Sequence, residues 1–275
     1  MTTKKLPVWA IVRDTYRSVR EHADALGALS RGTATAATIA LVLSFAAVQL
    51  ILSDERRGAA FLELPAGERV AAYTSLAMLM VFIGLFVIIV RWHRMIVRDL
   101  APRATRAGAT RAALLYFARS LLLGSLGVSI GVVCALLPVT LTRGLPLSED
   151  VRWWITVAFV IGGIVAALVT VGRLSLILPA GAVGDYHVTM GRAWHMSRGN
   201  AWRILAGSVL ASGPVFFANV VFNGFIEAMP SMSGNVASLL AMLTLSLLLF
   251  VLTAVVQASF LSYAYRFLSK ANDGG

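Results

Sequence analysis

Six long runs of apolar residues are the feature that most constrains the fold of this chain. Each run is long enough to cross about 30 Å of hydrocarbon as a helix, and in lipid only helices and closed barrels satisfy the backbone. The runs are continuously apolar and do not alternate, which excludes a barrel. The sequence therefore predicts an all-α polytopic membrane protein with six transmembrane helices, near residues 34–52, 71–90, 118–141, 153–172, 204–225 and 237–263.

Composition supports a membrane protein and argues against several other classes. Of the 275 residues, 58% are hydrophobic and 13% are charged, whereas soluble domains have about a quarter charged residues. The net charge of +11 comes from short Arg-rich clusters between apolar runs, without a helix-turn-helix, RNA-binding or zinc motif. We therefore predict no nucleic-acid partner. The single cysteine, Cys134, allows no disulfide and no thiolate metal site within one chain.

The distribution of basic residues predicts the orientation in the membrane. Cytoplasmic loops of membrane proteins carry the excess of Lys and Arg, and tryptophans favour the headgroup region at the ends of spans. Of the 24 Lys and Arg residues, five lie in the loops that would face outwards: Arg56, Arg57, Arg69, Arg143 and Arg152. The six tryptophans fall at or beyond span ends: Trp9, Trp92, Trp153, Trp154, Trp194 and Trp202.

The resulting prediction is one membrane domain, residues 1–275, in the bacterial inner membrane with both termini in the cytoplasm. Residues 1–33 form a cytoplasmic amphipathic segment without the apolar core of a signal peptide, so the first span serves as the targeting signal.

The stretch GDYHVTMGRAWHMSRGNAWRIL, residues 184–205, carries one Asp, two His, three Arg and two Trp between two apolar runs. Its pattern predicts a short amphipathic helix over 186–198, with Asp185 as its N-cap and Gly199 in the left-handed position that ends a helix. Asn200 then caps the following span. We interpret this segment as a basic helix that lies among lipid headgroups.

Catalytic and metal interpretations of this stretch have weaker support. His187 and His195 are eight residues apart, without a second His at helical spacing or an HExxH motif. Ser197 lies in no nucleophile motif. Arginine contacts with headgroup phosphates and simple snorkelling both remain open, and we predict anionic lipids of the cytoplasmic leaflet as partners. The headgroup candidates are Arg119, Arg173, Arg192, Arg198 and Arg203.

Arg173 to Leu205 also resembles a known family. Pro179 after the span-ending Arg173, the AWHMSRG segment at 193–199 and the SYAYRFL segment at 262–268 are similar to the YciC-like bacterial membrane proteins. They are also similar to the membrane domain attached to some glycerophosphodiester phosphodiesterases. The resemblance implies a helical protein without established chemistry in its membrane part, linked to envelope integrity. The catalytic phosphodiesterase barrel is absent from this sequence.

Two sets of residues inside the spans predict where helices meet. Polar side chains are costly against lipid, so we expect the polar stripes of the fifth and sixth spans to face the bundle interior, either as packing contacts or as a solute path. These stripes are Ser208, Ser212, Asn219, Asn223 and Glu227, with Ser246, Thr253 and Gln257. Small residues allow close packing of the third and fourth spans, or of two protomers: Gly124, Gly127, Gly131, Ala158, Gly162 and Ala166.

The functional prediction is a non-enzymatic membrane protein that acts as scaffold, assembly partner or envelope-stability factor. It requires no cofactor or metal, and its partner is another membrane protein or a second copy of the chain. The alternative is a small-solute or lipid transporter or channel lined by the polar stripes. A lipid-modifying enzyme has weaker support, because no motif joins its candidate residues His93, His187, His195, Asp99 and Asp185.

Overall fold

The computed structural model describes residues 5–27, 84–99, 109–228 and 236–273, which form α-helices joined by turns and short connections. This confirms the predicted all-α class for the described residues. The helices are α1 (Val8–Glu21), α2 (residues 84–98), α3 (Ala109–Thr142), α4 (Glu149–Leu174), α5 (Ile177–Ala182), α6 (Met190–Met196), α7 (Ala201–Ala228) and α8 (Val236–Asp273).

Four stretches of these helices are long and apolar enough to cross a membrane: Arg111–Thr142, Glu149–Ala182, Ala201–Phe222 and Leu248–Ala271. They agree with a multi-pass membrane protein. The predicted spans at 118–141, 153–172, 204–225 and 237–263 lie within α3, α4, α7 and α8. The predicted span at 34–52 lies outside the described residues, as does 71–90 except for 84–90, which belong to α2.

The observed helices extend beyond the apolar runs that predict them. Helix α3 begins at Ala109 and α8 continues to Asp273, because residues such as Arg111 and Arg266 are polar but do not interrupt a helix. Hydropathy therefore locates the part of a helix that lipid can cover, whereas the helix itself continues into the polar region.

Helices α3 and α4 form an antiparallel pair. Gly127 lies beside Val171 and Gly163 beside Cys134, so residue numbers rise along one helix as they fall along the other. A Cβ atom on Gly163 would lie 2.3 Å from Cys134 Cβ, so this close approach requires a glycine. The Ser148 hydroxyl caps the start of α4 by accepting from the Val151 N–H at 3.4 Å.

Helices α7 and α8 form a second antiparallel pair, and α1 packs across both. Gln257 Nε2 of α8 donates to Ser208 Oγ of α7 at 3.0 Å. Tyr16 of α1 donates its hydroxyl to the Ala211 carbonyl at 2.5 Å. The apolar side of α1 buries Ile11 and Val12, so this amphipathic helix packs on protein.

Burial is concentrated at one end of the molecule. Trp92, Leu176, Phe260 and Leu268 have at most 2% of their surface exposed, whereas α3 leaves Val128 66% exposed in the middle of its apolar stretch. Exposed apolar side chains are unfavourable in water but not in hydrocarbon. The distribution is therefore that of a bundle with one protein-packed end and long helices whose exposed apolar surface suits hydrocarbon.

Candidate functional site at the basic end of the bundle

The basic side chains gather at one end of the bundle, where α3 and α7 begin and where α4 and α8 end. We call this the basic end. Among the described residues from 84 onwards, Arg143 and Arg152 are the only Lys or Arg residues at the opposite end. Eleven of the thirteen Lys and Arg residues in this part of the chain thus lie towards the basic end, which is the kind of asymmetry that the positive-inside rule describes.

The structure corrects the predicted helix over 186–198. Helix α6 begins at Met190, and Thr189 is its N-cap, with the Thr189 hydroxyl accepting from the Arg192 N–H at 3.3 Å. Asp185 does not cap this helix, because its carboxylate accepts from the Tyr265 hydroxyl at 2.5 Å. Gly199 has the predicted left-handed conformation, with a φ of +73°, but α6 ends earlier, at Met196 with Ser197 as its C-cap.

Arg173 joins the end of α4 to α6. Its guanidinium donates to the Trp194 carbonyl at 2.7 Å and to Ser197 Oγ at 3.1 Å. It also lies 3.4 Å from the centroid of the Trp194 ring, a distance typical of a cation–π contact. This arginine therefore has a structural role inside the protein.

Three further arginines donate to backbone carbonyls around α5. Arg119 donates to the Ile177 carbonyl at 3.0 Å, Arg94 donates to that of Ala182 at 2.7 Å, and Arg98 donates to that of Val183. Ala182 and Val183 lie at the end of α5, where carbonyls have no intrahelical partners and cationic side chains are favourable, whereas Ile177 is the first residue of this helix. These bonds hold α2, α3 and α5 together at the basic end.

Asn200 and Arg203 hold the N-terminal segment against α7. Asn200 Oδ1 accepts from the Leu6 N–H at 2.8 Å, and Arg203 donates to the Leu6 carbonyl at 2.9 Å. Of the five arginines predicted at lipid headgroups, Arg119, Arg173 and Arg203 thus donate to protein groups. Arg192, Arg198 and Arg203 are exposed. A headgroup contact stays a prediction for all five.

A buried polar cluster joins α2 to α3 and α8. His93 Nδ1 lies 2.6 Å from Ser262 Oγ, and His93 Nε2 lies 3.2 Å from the Tyr116 hydroxyl. Ser262 donates its own proton to the Ala258 carbonyl, so it accepts from Nδ1–H, and Nε2 accepts from Tyr116. Burial lowers the pKa of His93, which lies outside the four candidate spans, to about 3.

Sequence reasoning missed this cluster, and the expectation for Trp92 was wrong. Trp92 does not lie at the headgroups: its side chain is fully buried and its Nε1–H donates to Ser259 Oγ at 2.7 Å. The signal in the sequence is a pair of hydroxyl residues on one face of α8, Ser259 and Ser262. They lie opposite Trp92 and His93 of α2. His93 is also fully buried, whereas His187 and His195 are exposed.

A cavity of about 470 Å³ opens at the basic end between α2, α6, α8 and the connection from α5 to α6. We call it the basic cavity. Tyr265 and Asp185 contribute their hydrogen-bonded pair to the wall, and the remaining polar lining is mostly cationic. The full lining is Val97, Arg98, Asp99, Val183, Asp185, Val188, Arg192, Met196, Tyr265, Arg266, Ser269 and Lys270.

The polar stripes of α7 and α8 meet at Ser208 and Gln257. Gln257 Nε2 is bonded to Ser208, but its Oε1 is buried without a hydrogen-bond partner among the described residues. An apolar groove of about 430 Å³ lies beside this pair, lined by residues that include Leu123, Gly124 and Val171.

The other stripe residues lie further along the same two helices. Ser212 and Thr253 donate to carbonyls of their own helices, at 2.6 Å to Ser208 and 2.8 Å to Leu249. Asn219 and Ser246 are half-buried. The side chains of Asn223 and Glu227 lie outside the described part.

The small residues of α3 and α4 fall into two groups. Gly127 lies between the two helices, since a Cβ there would be 3.2 Å from Val171 Cγ2, and Gly131 is half-buried. The others lie exposed, with open space around both glycines: Gly124, Ala158, Gly162 and Ala166. The α3–α4 contact instead uses Gly163, one position from the predicted face.

No family model, curated protein or solved structure matches this chain. Among the described side chains, no three of His, Cys, Asp and Glu come together in an arrangement that could hold a metal ion. Within the described ranges, reactive residues named above come together in the buried His93 cluster and in the basic cavity.

Proposed function

We propose that the chain is a multi-pass protein of the bacterial inner membrane that acts by interaction, as a scaffold, assembly partner or envelope-stability factor. In this proposal six spans form one membrane domain, both termini lie in the cytoplasm, and no catalysis is involved. The resemblance of Arg173–Leu205 to the YciC-like proteins agrees with such a role.

The observation that carries this proposal is the exposed small-residue face of α4. Ala158, Gly162 and Ala166 are spaced four residues apart on one side of the helix, and nothing lies within 4 Å of a Cβ built on Gly162. In a membrane, small residues let the backbone of another helix approach closely, which increases van der Waals contact. This face fits a helix of a second protein or of another copy of the chain.

The basic end supports the proposed orientation. Placed in the cytoplasm, its arginines and lysine face the anionic lipids of the inner leaflet, which attract each basic group by about 1 kcal/mol. Arg192, Arg198 and Arg203 are exposed there, so lipid headgroups can reach them.

The proposal is tested by a bulky substitution on the exposed face. We expect Gly162→Leu to release a stoichiometric partner that wild-type protein retains when it is purified from native membranes in mild detergent. Ile161→Leu is the matched control, because Ile161 is 57% exposed on the neighbouring side of the same helix. A partnerless wild-type chain that moves a solute into liposomes would contradict the proposal.

A transporter or channel is the second candidate, and one observation favours it. Gln257 Oε1 is buried without a hydrogen-bond partner among the described residues, and Gln257 lines the groove of 430 Å³. This oxygen is a hydrogen-bond acceptor for a solute that enters between α3, α4 and α7. Solute flux that disappears when Asn219, Asn223 and Gln257 are replaced by Leu, with the fold intact, would select this candidate. Loss of assembly in the same variant would favour the packing role.

A further inference from the structure

We infer that the basic cavity binds a phosphate group, carried either by a lipid headgroup or by a soluble phosphate compound. Four cationic side chains line the cavity: Arg98 from α2, Arg192 from α6, and Arg266 and Lys270 from α8. They come from three elements that are far apart in sequence, so the fold itself assembles this concentration of charge. Two carboxylates, Asp99 and Asp185, leave the lining with an excess of positive charge.

Three of the four cavity cations form no ion pair with a carboxylate of the described residues. Within the described part of the chain, Arg98, Arg266 and Lys270 have no carboxylate within ion-pair distance. Asp185 instead accepts from the Tyr265 hydroxyl at 2.5 Å. Like charges that converge on one cavity repel one another, and a bound anion removes that repulsion.

Two of the guanidinium groups are held in place before any ligand arrives. Arg98 donates to the Val183 carbonyl, and Arg266 donates to the Ile96 carbonyl at 3.1 Å. A guanidinium has five N–H donors, so a single bond to a carbonyl orients the group and leaves donors for a ligand. Preorganised guanidinium groups match the oxygens of a phosphate and lose little entropy on binding it.

The size and remaining lining of the cavity fit a ligand larger than the phosphate alone. Its volume of about 470 Å³ lies in the usual range for small-molecule sites, which is roughly 300 to 1,000 Å³. Val97, Val183, Val188 and Met196 supply apolar surface beside the cations. The cavity also lies where the apolar stretch Leu248–Ala271 ends, so both a lipid headgroup and a soluble compound can reach it.

This inference goes beyond the proposed scaffold function, because a scaffold requires no ligand cavity. The exposed face of α4 and the basic cavity use different residues. A failure of the Gly162→Leu test would therefore leave the cavity proposal standing, and a failure of the cavity test would leave the scaffold proposal standing.

The test measures binding to the full chain in an uncharged detergent. Native mass spectrometry compares phosphatidylglycerol with diacylglycerol of the same acyl chains, and calorimetry measures inorganic phosphate. We expect phosphatidylglycerol, and not diacylglycerol, to bind. Arg192→Gln combined with Lys270→Gln changes two exposed side chains and is expected to raise the Kd about tenfold for each lost charged contact.

Two further variants make the result specific to the cavity. Arg143→Gln combined with Arg152→Gln removes the same charge at the opposite end of the bundle and is expected to leave the Kd unchanged. Asp185→Asn keeps an acceptor for Tyr265 but removes a negative charge from the lining, so we expect roughly threefold to tenfold tighter binding. A damaged fold cannot produce that gain.

The outcomes separate the two sources of the phosphate. If phosphatidylglycerol binds and inorganic phosphate does not compete with it, the ligand is a lipid headgroup. If inorganic phosphate binds and displaces the lipid, the site takes soluble phosphate compounds. The inference is overturned if neither phosphatidylglycerol nor inorganic phosphate binds. It is also overturned if the cavity variants at Arg192, Lys270 and Asp185 bind both probes with the same Kd as the control variant at Arg143 and Arg152.

Discussion

At the scale of single residues, Gly207 determines how α7 and α8 pack together. A Cβ atom at this position would lie 2.3 Å from Phe260 Cζ and 3.4 Å from Val8 Cγ1. Phe260 is fully buried, so its ring has no free space into which it can move. The absence of a side chain at Gly207 is therefore a requirement of the α7–α8 contact and of the position of α1.

We expect Gly207→Ala to lower the free energy of unfolding by about 1 to 3 kcal/mol, because an extra methyl in a filled contact forces its neighbours out of place. Unfolding by denaturing detergent, followed by circular dichroism, measures this change. Gly224→Ala on the same helix is the matched control, since nothing lies within 4 Å of a Cβ there and no proline directly follows it. Alanine at 224 should stabilise α7 by up to about 1 kcal/mol. Equal effects at both positions would contradict the packing described for Gly207.

At the scale of elements, α1 is held on the bundle by the backbone of Leu6. Both polar groups of this residue are bonded, the N–H to Asn200 and the carbonyl to Arg203, and its side chain is fully buried. The segment that follows Gly199 therefore both begins α7 and holds the N-terminal helix. This arrangement differs from the predicted one, in which Asn200 only capped α7.

Removing the Asn200 side chain tests this role. Asn200→Ala leaves the buried Leu6 N–H without its acceptor, at a cost of about 1 to 3 kcal/mol. We expect amide hydrogen exchange in Val8–Glu21 to become about tenfold faster or more, with exchange in α3 and α4 unchanged. Arg198→Ala, an exposed change two residues away, should not affect α1. Unchanged exchange in the Asn200 variant would show that other contacts hold this helix.

The sequence predicts the positions of the long helices better than the contacts between them. Hydropathy located α3, α4, α7 and α8, because a run of apolar residues is a local property of the chain. It could not give the partners of the arginines: Arg94 donates to a carbonyl 88 residues away, and only the folded chain brings the two together. The close-packing face of α4 was predicted at Gly162, but Gly163 is the residue that meets Cys134. The spacing of small residues along a helix does not show which side of that helix faces its neighbour.

The candidate site was less predictable than the spans. Arg192 was recognised because it lies in a conspicuous basic segment, but Arg98, Arg266 and Lys270 come from elements whose proximity the sequence does not reveal. Asp185 was interpreted as a helix cap from its position before an amphipathic pattern. A tertiary bond to Tyr265, 80 residues away, determines its role instead.

At the scale of the whole molecule, the two ends of the bundle differ in charge. The described part of the chain from residue 84 onwards has Arg143 and Arg152 at one end and all its other Lys and Arg residues towards the basic end. Four apolar stretches of α3, α4, α7 and α8 connect the two ends. From the positive-inside rule we propose that the basic end, and the basic cavity with it, faces the cytoplasm.

Cysteine labelling across the membrane tests this central claim most directly. In a Cys134→Ala background, Arg143→Cys and Lys270→Cys are labelled with a membrane-impermeant maleimide on intact bacterial spheroplasts and again after permeabilisation. We predict that Arg143→Cys reacts on intact spheroplasts, whereas Lys270→Cys reacts only once the membrane is opened. Labelling of Lys270→Cys from outside, or recovery of the chain in solution without detergent, would contradict the account.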